Sequence, residues 1–135
     1  MLKLIIGVKG TGKTKQLIDM VNASLQSSKG AVVCIEKGDK LRFDVKYQCR
    51  LIDTEYYGIA DATALYGFVA GILASNHDVT DLYIDSALKI CRDDAAAFDN
   101  LLGLLDVLTA RANVNCVITC SLPADEASKT IKKYV

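Results

Sequence analysis

Residues 2–17 read LKLIIGVKGTGKTKQL, and this stretch decides the fold. An apolar run over Leu2–Ile6 predicts a strand that is buried on both faces. The eight residues that follow contain three glycines, two lysines and two threonines. Apolar side chains then recur at helical spacing, which predicts a helix over Thr14–Gln26. A turn between a strand and a helix needs only one or two glycines, so the composition of this turn indicates that it also serves binding.

The rest of the chain alternates apolar strand-like runs with amphipathic stretches. We expect strands at AVVCIE (31–36), VTDLYID (79–85) and VNCVITC (114–120), and YQCRLID (47–53) is a further extended segment that could pair as a hairpin. Helices are expected from Asp61, from Asp93 or Asp94, and over 124–134, the last alone or leading into a short strand. The alternation predicts an α/β fold, a three-layer α-β-α sandwich with a mostly parallel sheet of four or five strands, in one domain over residues 1–135.

Composition, charge and the start of the chain bear on where the protein is located and on the state of its cysteines. The formal net charge is zero, 51% of residues are hydrophobic, and no apolar run approaches the ~20 residues that a membrane span requires. Met1-Leu2-Lys3 leads directly into strand-like residues and lacks the order of a signal peptide, so we expect a cytoplasmic protein without membrane contact. The five cysteines form no C-x-x-C pair, and we expect buried, reduced thiols.

The glycine-rich turn carries a phosphate-binding pattern. Residues 7–14 match G-x-x-x-x-G-K-[ST]. They lie between a predicted strand and a predicted helix, which is the position that this pattern needs to bind phosphate. Glycines let backbone N–H groups converge on an anion, and the positive end of the following helix points at the same place. The pattern predicts that Lys13 contacts the β- and γ-phosphates and that the Thr14 hydroxyl binds Mg²⁺. The nucleotide-binding residues predicted in this turn are Gly7, Gly10, Thr11, Gly12, Lys13 and Thr14.

These eight residues are the Walker A motif, and through them the chain resembles the P-loop NTPases. The resemblance implies a P-loop fold with ATP and Mg²⁺ as ligands, and Asp85, at the end of DLYID, resembles the Walker B aspartate that helps to hold the metal. Ser86 stands where one branch of the family often has a catalytic glutamate. In RecA-like members the base can come from the neighbouring strand, which makes Glu36 the candidate base beside Lys13. Thr119 or Ser121 would sense the γ-phosphate.

The likeness to RecA-like, additional-strand members also implies a strand order. In that order VNCVITC lies between the first strand and the Walker B strand, and Leu2–Ile6 forms an edge. An open apolar edge is an aggregation hazard, so we expect Thr130–Val135 or a second protomer to pair with it. The overall pattern is most similar to small bacterial ATP-binding proteins of the P-loop class.

The leading hypothesis is a Mg·ATP-binding protein that acts as a weak or partner-activated ATPase. A nucleotide-gated regulatory module that never hydrolyses ATP and a small nucleoside or nucleotide kinase stay open as alternatives. A protein partner or a homo-oligomer is compatible with the sequence. A basic segment over residues 37–50 is either a solvated loop or a contact for a nucleotide, a nucleic acid or a protein, although its aromatic residues are only Phe43 and Tyr47.

Overall fold

The computed structural model describes residues 1–135 as five β-strands and five α-helices. The strands are β1 (Leu2–Gly7), β2 (Ala31–Glu36), β3 (Arg50–Asp53), β4 (Val79–Ile84) and β5 (Asn115–Ser121). The helices are α1 (Lys13–Ser27), α2 (Ala62–Ser75), α3 (Ala87–Ile90), α4 (Ala95–Ala112) and α5 (Lys129–Tyr134), with a 3₁₀ turn at Ala124–Glu126. The predicted α/β class is confirmed.

The five strands form one sheet in the order β1-β5-β4-β2-β3, and every neighbouring pair is parallel. As predicted, β5 lies between β1 and β4, and β1 is an edge strand. In a parallel sheet the carboxyl ends of all strands meet at one edge, where ligands of open α/β sheets bind. The glycine-rich turn after β1 and Asp85 after β4 therefore lie at the same edge of the sheet.

The core consists of two apolar clusters that involve different helices, as expected for a three-layer sandwich. The larger cluster includes Leu65 and Val69 of α2 with Phe98 and Leu102 of α4. The smaller cluster packs α1 together with residues of the segment that follows β2, including Leu41 and Val45. No helix is both long enough and apolar enough to cross a membrane.

The predicted hairpin is wrong, because β3 pairs with β2 in parallel, from Val33 beside Arg50 to Glu36 beside Asp53. A parallel pair needs a connection of about a dozen residues or more to bring the chain back along the sheet. Residues 37–49 supply this connection, and their buried side chains Leu41, Val45 and Cys49 attach it to the core.

The prediction that Thr130–Val135 pairs with the β1 edge is also wrong. These residues lie in and after α5, which begins at Lys129 because the Ser128 hydroxyl accepts a hydrogen bond from Ile131 N at 3.1 Å. Ile131 is buried and the Tyr134 hydroxyl donates to Asp106 Oδ2 at 2.8 Å, so packing on α4 favours a helix. Pairing of β1 with a second protomer stays a prediction.

Predicted helix starts and thiols agree with the structure. Asp61 and Asp94 cap α2 and α4 by accepting from Ala64 N at 2.8 Å and from Ala97 N at 3.1 Å. All five cysteines are buried and free. Burial raises the pKa of Cys116 to about 12, so this thiol stays protonated near neutral pH.

Candidate functional site

A cavity of about 420 Å³ opens at the carboxyl edge of the sheet, beside the glycine-rich turn. Five lysines and a single carboxylate line it, and Leu41 is its one apolar residue. The lining residues are Lys9, Gly10, Gly12, Lys13, Thr14, Lys15, Lys40, Leu41, Asp85, Ser86, Lys89, Thr119 and Ser121. Such an excess of positive charge in a concave site favours an anionic ligand.

The amino end of α1 faces this cavity without a side-chain cap. Its N-cap is Gly12, with a left-handed φ of 84°, and no side chain accepts from the first turn. The side chains of Asp61, Asp94 and Ser128 each cap a helix of their own. The first amide of α1 to find a main-chain acceptor is that of Gln16, which donates to Gly12 O at 3.0 Å. The free amides before it, together with the helix dipole, can bind an anion.

The glycine-rich turn is held closed by its own side chains. The Lys13 ammonium is buried and donates to Val8 O at 2.9 Å, and the Thr11 hydroxyl donates to the same carbonyl at 2.8 Å. A Cβ at Gly7 would lie only 2.7 Å from Thr11 Oγ1, so this position needs glycine. Lys13 makes no ion pair, which leaves its charge available to an anion in the cavity.

Hydroxyl groups from two other elements contact the carboxylate of Asp85. The Thr119 hydroxyl, from β5, donates to Asp85 Oδ1 at 2.7 Å. The Thr14 hydroxyl, from α1, lies 3.3 Å from Oδ1 and 3.5 Å from Oδ2. Asp85 is only 8% exposed, yet no cation lies within ion-pair distance of it. A buried carboxylate that has hydroxyl partners alone suits a cation in the cavity.

Ser86 extends this network into the backbone. Its amide donates to Thr119 Oγ1 at 2.8 Å, and its hydroxyl lies 3.4 Å from Asp85 Oδ2. Ser86 has a left-handed φ of 56°, which turns the chain sharply from β4 into α3. Thr119 therefore bridges the Asp85 carboxylate and the Ser86 amide, and it is 1% exposed.

The residues present fit a magnesium ion that is held partly by a bound phosphate. No cluster of three or more His, Cys, Asp or Glu side chains could hold a metal alone. Magnesium in nucleotide sites keeps several waters and takes one or two protein oxygens plus phosphate oxygens. The Thr14 hydroxyl and the Asp85 carboxylate provide two oxygen ligands of this kind at the cavity wall.

Glu36 lies at the end of β2 with both of its carboxylate oxygens already bonded. Oε1 accepts from Lys40 N at 3.1 Å and Oε2 from Leu41 N at 3.2 Å. Burial, to 2% exposure, raises the pKa of Glu36 above its ordinary value, although the two amides act in the opposite direction. Glu36 thus fixes the start of the segment after β2, and its role as a base stays a prediction.

The cavity brings together most of the residues predicted from the sequence. Gly10, Gly12, Lys13, Thr14, Asp85, Thr119 and Ser121 line it, whereas Gly7, Thr11 and Glu36 lie outside its lining. Sequence reasoning missed Lys89 of α3 as a site residue and did not place Lys40 in the site. Their position directly after β4 and β2 was the available signal, because loops after parallel strands share the ligand-binding edge.

Comparison with known proteins does not identify a family for this chain. No family model matches the chain, and the search of curated proteins found no match.

Proposed function

We propose that this chain is a P-loop protein that binds Mg·ATP and hydrolyses it weakly, or efficiently only with an activating partner. The observation that carries the proposal is the lysine-lined cavity at the uncapped amino end of α1, with Lys13, Thr14 and Asp85 on its wall. The complete G-x-x-x-x-G-K-[ST] pattern independently points to Lys13 and Thr14.

The chain's own groups have distinct roles in holding the nucleotide. The backbone amides from Gly10 to Thr14 bind phosphate oxygens, and Lys13 exchanges its hydrogen bond to Val8 O for the β- and γ-phosphates. Lys40, from the segment after β2, and Lys89, from α3, add positive charge to the cavity lining. Ser121, at the end of β5, is the better placed sensor of the terminal phosphate, since the Thr119 hydroxyl is engaged with Asp85 and Ser86.

Thr14 and Asp85 would hold the magnesium ion, and Thr119 orients Asp85 toward it. Bound magnesium supplies charge neutralisation between the β- and γ-phosphates. Asp85 keeps its position without the ion, because three hydroxyl groups contact its two oxygens. The site is therefore largely preorganised.

Weak hydrolysis follows from the groups that the cavity lacks. Asp85 is the only carboxylate in the lining, and it is assigned to the metal. Ser86 cannot accept a proton from water at neutral pH, and both oxygens of Glu36 accept backbone amides. No arginine lines the cavity, whereas an arginine supplied by a partner accelerates related reactions by about 10³ to 10⁵.

A single-turnover assay with γ-labelled ATP tests this proposal. We expect release of inorganic phosphate well below the ~10 per second that is typical of enzymes. Ser86→Glu should raise the rate by adding a carboxylate at the cavity wall, and Glu36→Gln should abolish it if Glu36 is the base. An unchanged rate in Glu36→Gln would remove Glu36 from the mechanism, and turnover in Lys13→Ala equal to the natural rate would remove the proposed site. ATP that is bound but never hydrolysed would favour the regulatory module.

A second candidate function, phosphoryl transfer to a small acceptor, is favoured by one observation. Lys89 lines both the lysine-rich cavity and a second one of about 340 Å³, whose charged residues are Lys37, Glu55, Lys89 and Arg92. An acceptor in the second cavity would share Lys89 with the nucleotide site. The same assay distinguishes the two functions, because a kinase transfers label to nucleosides or nucleotides and an ATPase releases it as phosphate.

A further inference from the structure

The basic segment, residues 37–50, carries two aromatic side chains in full contact with solvent. Phe43 is 84% exposed and Tyr47 is 91% exposed. The proposed nucleotide site does not use either ring, since neither lines its cavity.

The exposure of these rings follows from how the segment is attached. Leu41, Val45 and Cys49, four residues apart, are all buried against α1 and the sheet. Phe43 and Tyr47 each stand midway between two of these anchors and therefore project away from the core. Every aliphatic side chain of the segment is buried, so the two rings are its only exposed apolar groups.

Hydrogen bonds hold the segment in one shape. Glu36 accepts the amides of Lys40 and Leu41 at its start. In its middle, Asn22 of α1 donates to Asp44 O at 3.0 Å and accepts from Lys46 N at 3.1 Å. A surface held in this way loses little conformational entropy when a ligand binds to it.

The basic segment carries an excess of positive charge. The segment has five basic residues and two acidic ones, and only Arg42 is in an ion pair, at 3.3 Å from Asp39. The Arg42 guanidinium also lies over the Phe43 ring, 4.7 Å from its centroid. Lys37, Lys40, Lys46 and Arg50 are exposed and have no acidic partner.

We propose that the exposed surface of the basic segment binds single-stranded nucleic acid. Phe43 and Tyr47 stack on unpaired bases, and the exposed cations of the segment that do not line the nucleotide cavity, Lys37, Lys46 and Arg50, contact the phosphates. Aromatic stacking beside a positively charged surface is how proteins bind single strands without sequence preference. Protein-binding surfaces are depleted of lysine, whereas all three lysines of this segment are exposed. The proposal goes beyond the proposed ATP site and does not depend on it.

Fluorescence anisotropy without ATP tests this proposal, with labelled oligothymidylate, oligouridylate and a DNA duplex of equal length as probes. We expect binding of at least one single strand, and weaker binding of the duplex because its bases are already stacked. The double variant Phe43→Ala/Tyr47→Ala should bind the single strand about thirtyfold or more weakly, because it removes the stacking of two bases. Melting curves establish that the variant is folded, which we expect because both side chains are exposed.

Tyr56→Ala is the matched control. Tyr56 is 80% exposed but lies after β3, outside the basic segment, so its removal should leave the affinity within about twofold. With three phosphate contacts, log Kd should rise with log salt with a slope of roughly 2, and Lys46→Gln should lower this slope by about 0.7.

Three results would overturn the proposal. The first is the absence of single-strand binding at low salt, and the second is equal weakening by Tyr56→Ala and by the double variant. The third is light scattering that shows self-association through Phe43 and Tyr47 without nucleic-acid binding, which would assign the rings to a protein contact. None of these results bears on ATP binding, which a separate titration measures.

Discussion

Replacing Thr119 by valine tests whether the hydrogen bonds around Asp85 stabilise the fold and hold this carboxylate in place. Valine has nearly the same shape but removes the hydroxyl that donates to Asp85 Oδ1 at 2.7 Å and accepts from Ser86 N at 2.8 Å. A hydrogen bond to a charged group contributes about 1.5–3 kcal/mol, and a buried amide left without a partner costs about 1–3 kcal/mol. Ser86 is half-buried and can recover part of its loss from water, so we expect about 2–4 kcal/mol of destabilisation in total.

Thr109→Val is the matched control for this substitution. Thr109 is also fully buried, and its hydroxyl donates to Leu105 O at 2.8 Å, a neutral carbonyl within α4. Because the helix itself already supplies an amide partner for that carbonyl, the control should lose only about 1 kcal/mol. Thr119→Ser keeps the hydroxyl and should restore most of the stability.

Urea unfolding at neutral pH measures all three variants against the natural chain. The predicted order of stability is natural chain, then Thr119→Ser and Thr109→Val, and Thr119→Val last. Equal losses for Thr119→Val and Thr109→Val would show that the contacts of Thr119 to Asp85 and Ser86 stabilise the fold no more than an ordinary hydrogen bond within a helix. In that case Asp85 would not be preorganised as we have argued.

Two further predictions concern the core and Glu36. Phe98→Ala, at a fully buried position of α4, should lower the free energy of unfolding by about 3–5 kcal/mol. Leu104 lies in the same helix but is 43% exposed, so Leu104→Ala should lower it by less than about 1 kcal/mol. Equal losses in urea unfolding would contradict the assigned core. Burial raises the pKa of Glu36 in the folded protein, so its contribution to stability is fully present below the unfolded pKa of ~4.3 and is lost as pH rises through the folded pKa. The stability of Glu36→Gln, followed by urea unfolding between about pH 4 and 8, should therefore fall less with rising pH than that of the natural chain, and parallel pH profiles would refute this reasoning.

Local patterns were sufficient to predict most of the fold. β1, β2, β4 and β5 are short, predominantly apolar runs, and Asp61 and Asp94 cap helices in the expected way. The pairing of β3 was not predictable in this way, because an extended segment looks the same whether it pairs in parallel or as a hairpin. The parallel arrangement depends on the burial of Leu41, Val45 and Cys49 in the connecting segment, which is a tertiary effect.

The candidate site also has parts that follow from the local sequence and parts that depend on the tertiary structure. The glycine-rich turn and Asp85 were predictable because strand ends and turn residues follow from the order of residues along the chain. The double contact of Thr119 depends on β4 and β5 being neighbours in the sheet. The two amides bound by Glu36 depend on how the segment after β2 turns. For the C-terminal residues the sequence predicted a helix, alone or leading into a strand beside β1, and burial of Ile131 against neighbouring elements stabilises the helix.

Isothermal titration with ATP in the presence of Mg²⁺ tests the central claim most directly. Lys13→Ala removes the buried lysine of the cavity, and Lys3→Ala, an exposed lysine on β1, is its control. We predict saturable binding of one nucleotide per chain, a dissociation constant raised about tenfold or more in Lys13→Ala, which corresponds to about 1.4 kcal/mol, and no change in Lys3→Ala. Absence of binding at millimolar ATP, or equal affinity in Lys13→Ala and the natural chain, would contradict the assignment of this cavity as an ATP site.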